Sequence, residues 1–233
     1  MTSSDRTASG APATGQLVEL SHVIRAGMTT YPGLPGPQII PYLTREASRE
    51  HYAAGTEFVI DQLKVVGNTG TYLEAPHHRF SSGADLSSIS LARTVDVPAV
   101  VVRVAGARQP GVDVSALAAL HVSGKAVLLH TGDDARFGTR AYADQQHFLT
   151  RDGAAWLADH GAMLVGIDGV NIDDTTDLER PAHTLLLGAD ILIIENLTGL
   201  DQLPPAGAQL TAVPLRIEEF GAIPVRAYAR LPK

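Results

Sequence analysis

The sequence predicts a single α/β domain, and three observations predict it. Short apolar runs of strand type alternate with stretches of helical period along most of the chain. Pro98 to Val104 is a continuous valine-rich run, the pattern of a central strand covered on both faces. A chain of 233 residues with 45% hydrophobic content can bury one substantial core, and no break in composition marks a second. Residues 1–15, rich in Ser, Thr, Ala and Gly, read as a disordered tail and residues 16–233 as the domain.

Leu17 to Leu20 begins the ordered part as a short strand. Ser21 to Pro41 follows as a loop broken by Gly27, Pro32, Gly33, Pro35, Gly36 and Pro37, and loops of that length usually cover or serve a site. Tyr31 is its only aromatic residue, placed to line a pocket or to pack. Thr44 to Tyr52 reads as a polar helix. Glu57 to Val66 reads as a strand, with Val59, Leu63 and Val65 on one face and Asp61 interrupting it. Asp113 caps a helix running to Leu120, and Lys125 to His130 is the next strand. His130 at its end reads as a hydrogen-bonded structural residue. Asp152 to His160 is the clearest helix, capped by Thr150 or Asp152 and stopped by Gly161, where a left-handed residue is wanted. Ala162 to Ile167 is a strand ending in an Asp168-Gly169 turn. Pro181 opens a short helix, which puts His183 in its first turn, where the helix dipole favours a neutral imidazole. Ile191 to Glu195 is an apolar strand whose terminal carboxylate is costly to bury without a partner. Ala222 to Ala229 closes the chain as a last strand.

The chemistry concentrates between Gly67 and Phe80, which reads Gly-Asn-Thr-Gly-Thr-Tyr-Leu-Glu-Ala-Pro-His-His-Arg-Phe. Gly67 and Gly70 permit conformations closed to other residues, and Pro76 fixes the backbone just before the histidines. Glu74 and His78, four apart in this stiffened turn, are placed to share a proton or a metal ion. A solvated surface turn would carry the same residues.

This stretch resembles the His-x-Gly-Thr-His-x-Asp-x-Pro-x-His signature of the cyclase-like metal-dependent hydrolases, a family that includes bacterial kynurenine formamidase and isatin hydrolase. From position 68 to 78, Gly70, Thr71, Pro76 and His78 match, and Glu74 replaces the Asp. Asn68 and Tyr72 stand where the family has histidines. Downstream, Pro181 to Leu197 resembles the second ligand segment, with His183 and, twelve positions later, Glu195. Leu164 to Gly169 and Met28 to Gly33 resemble the strand and early loop that accompany it. The resemblance implies a mixed sheet with a barrel-like core flanked by helices, assembled as a homo-oligomer, either dimer or tetramer. It also implies one divalent ion, Zn or Mn, on Glu74, His183 and Glu195, with His78 moving protons. The ion is absent if Asn68 and Tyr72 have cost the site its metal, because an Asn carbonyl and a protonated Tyr are poor ligands. Asn68 or Tyr72 would then donate to a developing oxyanion, and Asp168 would sit near the pocket.

The implied activity is hydrolysis of a small cyclic or acyclic amide, lactone or ester. Two alternatives stand beside it: a metal-independent cyclase, dehydratase or isomerase using Glu74 and His78, and a non-catalytic homologue that binds a small molecule. Composition narrows the partners. A formal net charge of −7 without basic runs speaks against nucleic acid and anionic membranes. The absence of cysteine excludes disulfides, thiolate metal sites and a cysteine nucleophile. There is no Gly-x-Ser-x-Gly elbow, Walker loop or Gly-x-Gly-x-x-Gly fingerprint. Asp5 and Arg6 occupy the place of a signal peptide's apolar core, and no apolar run approaches the roughly 20 residues of a membrane span, so a cytoplasmic protein is expected.

Overall fold

The computed structural model describes residues 15–144 and 146–233; the expected tail, apart from Gly15, lies outside the described residues. In chain order the strands are β1 (Leu17–Glu19), β2 (Gln38–Leu43), β3 (Ile60–Lys64), β4 (Tyr72–Glu74), β5 (Val97–Arg103), β6 (Gly111–Val112), β7 (Ala126–His130), β8 (Phe148–Leu149), β9 (Leu164–Ile167), β10 (Leu192–Glu195), β11 (Ala206–Thr211), β12 (Ala222–Pro224) and β13 (Tyr228–Arg230). The helices are α1 (Arg45–Ser48), α2 (Val114–Leu117), α3 (Arg140–Asp144), α4 (Arg151–Asp159) and α5 (Pro181–Gly188). No helix among the described residues is long and apolar enough to cross a membrane.

Nine strands form one mixed sheet in the order β1-β13-β11-β5-β7-β9-β10-β4-β12. Its centre, β5-β7-β9-β10, is parallel, and these are the strands that read as unbroken apolar runs because both faces are covered. One face, with Leu73, Val101, Leu128, Leu192 and Ile194, closes on itself. The other, with Val102, Leu129, Val165 and Ile193, lies under Leu157 of α4 and Leu186 of α5. The α4 helix begins where the Thr150 hydroxyl accepts the Gly153 N–H at 3.1 Å. It ends beside Gly161, whose φ of +70° supplies the left-handed turn.

Chain connectivity forces the sheet to curl. Only residues 225–227 separate β12 from β13, yet the two lie seven strand positions apart in the sheet. In a flat sheet that separation is about 34 Å, while four Cα steps reach at most about 15 Å. The sheet therefore bends into a half-barrel, and the connection is fastened as Val225 N–H donates to Thr71 O at 2.9 Å and Leu20 N–H to Ala227 O at 3.0 Å. This is also why the single strand expected over Ala222 to Ala229 is two strands on opposite flanks: the chain must cross the barrel mouth between them.

Two other expectations change. The Glu57 to Val66 strand is shorter and outside the main sheet; β3 pairs only with β2 as an exposed ribbon, and β2 already begins within the expected loop. Its apolar residues therefore do not belong to the domain's own core. The helix expected over Thr44 to Tyr52 is a single turn, with Thr44 as its cap.

Close approach of backbone to backbone at Gly221 sets the position of the histidine turn. A Cβ there would lie 2.5 Å from both N and Cα of His78 and 3.0 Å from the His77 carbonyl carbon. No flexible side chain can yield, so Gly221→Ala should cost about 1–3 kcal/mol of stability and displace His78. Urea unfolding of the variant measures this; an unchanged midpoint would mean that the turn is not held against Gly221.

Candidate active site

Strand register brings the first acidic pair together. In the antiparallel pair β10–β4, Glu195 stands opposite Tyr72 and Ile193 opposite Glu74. Alternation along β4 then sends Tyr72 and Glu74 to one face, while Leu73 enters the core on the other. The Tyr72 hydroxyl donates to Glu195 Oε2 across the pair. Immediately after β4, Pro76 starts a 3₁₀ turn over residues 76–78, closed by His78 N–H donating to Ala75 O at 2.8 Å. That turn folds His78 back so that its Nε2 lies 3.1 Å from Glu74 Oε1.

The second histidine is delivered by α5. Arg180, at a left-handed φ of +51°, turns the chain into the helix, and Pro181 occupies its first position. Asp173 then does two things with one carboxylate. Its Oδ1 accepts the Ala182 N–H at 2.6 Å, satisfying the helix start, while Oδ2 lies 2.5 Å from His183 Nδ1. The ring is thereby fixed with Nε2 3.0 Å from Glu74 Oε2 and 3.6 Å from Glu195 Oε1. Sequence reading missed Asp173. Nothing in Asp173-Asp174 distinguishes a capping, ring-orienting carboxylate from its neighbour, which merely closes a turn on Thr176.

Both glutamates are wholly buried, yet their acidities diverge. Burial alone would raise Glu74, but the rings of His183 and His78 and the Asn68 amide, which donates to Oε1 at 3.0 Å, hold it below its ordinary value. Burial raises Glu195 to about 8, with the Glu74 charge adding to the effect and His183, Tyr72 and the Ile172 N–H opposing it. For His183, burial penalises the cation, but Glu74 and Asp173 outweigh it and lift the ring well above its usual value. Tyr72 is pushed well above its ordinary value by burial and by the Glu195 and Glu74 charges, so it stays a hydrogen-bond donor.

Among the described residues, donor atoms of Glu74, His78 and His183 lie within 4.8 Å of one another, close enough for one ion to touch all three. Ligands around zinc at about 2.0–2.2 Å lie roughly 3.3 Å apart, near the 3.0 and 3.1 Å found between Glu74 and the two rings. Glu74 Oε2 meets no donor other than the His183 ring. This donor set fits a divalent cation. The set drawn from the resemblance had Glu195 in place of His78; here both Glu195 oxygens are engaged, Oε1 by the Ile172 N–H at 2.6 Å and Oε2 by Tyr72.

The three side chains open into a cavity of about 270 Å³, and the expected contributors Tyr31, Asn68 and Tyr72 line it. The early loop is tied to the Gly-rich turn by Gly70 N–H, which donates to Thr30 Oγ1 at 2.8 Å. Asp168 does not line the cavity. Its buried carboxylate accepts from Thr131 N–H at 2.8 Å, from the Thr131 hydroxyl at 2.5 Å and from Gly132 N–H at 2.8 Å, fastening the end of β9 to the loop after β7. A substrate has no access to it, because three protein donors already saturate the carboxylate.

The Cyclase family model, described as "Putative cyclase", matches residues 18–174. The chain belongs to this family. A kynurenine formamidase of Salinibacter ruber is 33% identical over 172 residues, 73% of this chain and 79% of that protein. One from Geobacillus thermodenitrificans is 28% identical over 199 residues, 85% of this chain and 91% of its own length. Isatin hydrolase A from Ralstonia solanacearum superposes with a TM-score of 0.79 over 93% of this chain and 92% of its own, at 24% identity, and shares the fold.

The raised acidity constant of Glu195 makes a pH prediction for the metal-free protein. Between its ordinary value of 4.5 and about 8, the folded chain binds a proton that the unfolded chain has released. Folding stability therefore falls as pH rises through that window and levels off above it. Glu195→Gln removes the group, so its stability should gain on wild type progressively from about pH 4.5 to 8. Thermal melts across this range check it, and parallel curves for the two proteins would refute the buried charge.

Proposed function

We propose that the protein is a metal-dependent hydrolase of a small amide, with the formamide of kynurenine named by its relatives as the first substrate to test. The observation that carries this reading is the convergence of Glu74, His78 and His183 on one point beside an open cavity, in a chain of the cyclase family. A divalent ion, Zn or Mn, held by these three side chains would supply Lewis acidity and a water ionised near neutral pH.

The chain's own residues supply the rest. Asp173 keeps His183 in the orientation that presents Nε2, the arrangement common behind metal-binding imidazoles. Asn68 steadies Glu74 from the side. Tyr72 faces the cavity with Glu195 behind it, so the pair can move a proton: Tyr72 accepts one from the attacking water as it hands its own to Glu195. Glu195, wholly buried and bonded to the Tyr72 hydroxyl, is placed to take that proton and return it to the departing amine by the same path. Tyr72, which stands where the family has a histidine, thus serves proton transfer rather than metal binding.

A second reading has one specific observation in its favour: His78 Nε2 lies 3.1 Å from Glu74 Oε1, within direct hydrogen-bond reach. There Glu74 orients His78 as a general base for cyclisation, dehydration or isomerisation without metal. We infer also that the protein is a homo-oligomer in which a second copy covers the β2–β3 ribbon, where Tyr42 is 74% and Leu63 60% exposed and no side of the ribbon is packed.

Elemental analysis with turnover of N-formylkynurenine separates the two chemical readings. The metal reading expects about one equivalent per chain, loss of activity on chelation, recovery with Zn or Mn, and loss of both ion and activity in Glu74→Gln. Full activity in chelated protein would transfer His78 to the role of base. The same sample should sediment as a dimer or larger species; a monomer would remove the second copy from the ribbon.

A further inference from the structure

We propose that Arg180 selects for a carboxylate on the substrate. The inference rests on the hydrolase reading and names the residue that sets its preference for charge. Its starting point is an unpartnered group: Arg180 Nη1 is buried and has no hydrogen-bond acceptor among the described residues, while the side chain lines the cavity above Glu74 and the two histidines. A buried guanidinium N–H without an acceptor is costly, and such groups ordinarily find one. Arg180 is also held in a left-handed backbone conformation that a non-glycine residue adopts at a cost. The unpaired N–H makes sense if the missing acceptor arrives with the ligand.

The alternative partner is Asp174, whose carboxyl feels the Arg180 charge. That carboxylate is already engaged by the Thr176 N–H at 2.9 Å and its hydroxyl at 2.7 Å, and no hydrogen bond joins it to Arg180. Arg79 lines the same cavity; its Nε donates to Thr184 Oγ1 at 3.3 Å and its guanidinium lies 5.3 Å from the centre of the Phe80 ring. Two guanidinium groups thus face one small cavity in a chain whose net charge is −7, a local reversal of sign that draws an anion inward. The planar fork of Arg suits a carboxylate, which it can grip with two parallel bonds. Tyr31, Leu34 and Tyr72 add apolar wall beside it, enough to seat a flat ring.

The test uses benzoate and its neutral isostere benzamide as probes, with affinities measured by calorimetry on the metal-loaded protein. Wild type should prefer benzoate, and Arg180→Gln should weaken benzoate about tenfold to a hundredfold so that the preference collapses. Arg180→Lys, which keeps the charge but not the fork, should fall between them, and melting temperatures establish that each variant is folded. If a variant does not fold, Arg79→Gln in a folded background should still lower benzoate affinity and its steep dependence on salt. Equal binding of both probes to wild type, or a benzoate affinity indifferent to Arg180 because the carboxylate seats on the metal instead, overturns the inference. If amides are not turned over but benzoate binding still depends on Arg180, the inference stands and the hydrolase reading falls. If neutral and carboxylated formamides are hydrolysed with equal kcat/KM, the hydrolase reading stands and the inference falls.

Discussion

A buried carboxylate between two imidazoles is the constraint on which this structure depends. Glu74 has no exposure to water, and an ionised carboxylate in that position is sustained only by the rings of His183 and His78 and by the Asn68 amide. Each element of the surrounding fold can be read as a device for delivering one of those partners. The Gly-rich turn brings Asn68, the Pro76 turn returns His78 to the strand it has just left, and Asp173 starts α5 and aims His183 in a single interaction. The curl of the sheet is part of the same arrangement, because Gly221 and β12 close over the histidine turn from the far flank.

Around that centre the two glutamates have been given opposite characters by their neighbours. Glu74 faces the two imidazoles and stays ionised. Glu195, one strand away, is pushed to about 8 by burial and by the Glu74 charge. Two carboxylates on paired strands can therefore divide the work between holding charge and exchanging a proton. The exchange of a histidine for Tyr72 fits this division: a tyrosine kept protonated by burial cannot compete for a cation, but it bridges Glu195 to the cavity.

Much of this was legible in the sequence. The central strands were visible as runs such as Pro98 to Val104 because both faces of a parallel sheet demand apolar residues. Thr150, Asp113 and Gly161 marked helix ends through chemistry that acts within a few residues. The motif register and the family resemblance singled out positions 74, 78, 183 and 195, with 195 rather than 78 in the ligand set. What lay beyond reach depends on long-range geometry. The split of the final strand follows from barrel closure, which no local pattern encodes. Asp173 and Arg180 owe their roles to partners brought in by the fold, and Asp168 lost its expected place because Thr131 and Gly132 reached it first. The alternation around β3 marked a strand but not its place outside the main sheet, because periodicity does not record what lies opposite.

The central claim is that Glu74, His78 and His183 form a cation site whose metal-free state is held together by a proton on His183. Nitrogen-15 NMR of the histidine rings tests it most directly. In metal-free protein His183 should carry protons on both ring nitrogens well above the pH at which a free imidazole loses one. One equivalent of zinc should remove the Nε2 proton while the Nδ1 proton, bonded to Asp173, remains. His183 signals that do not respond to zinc would contradict the account.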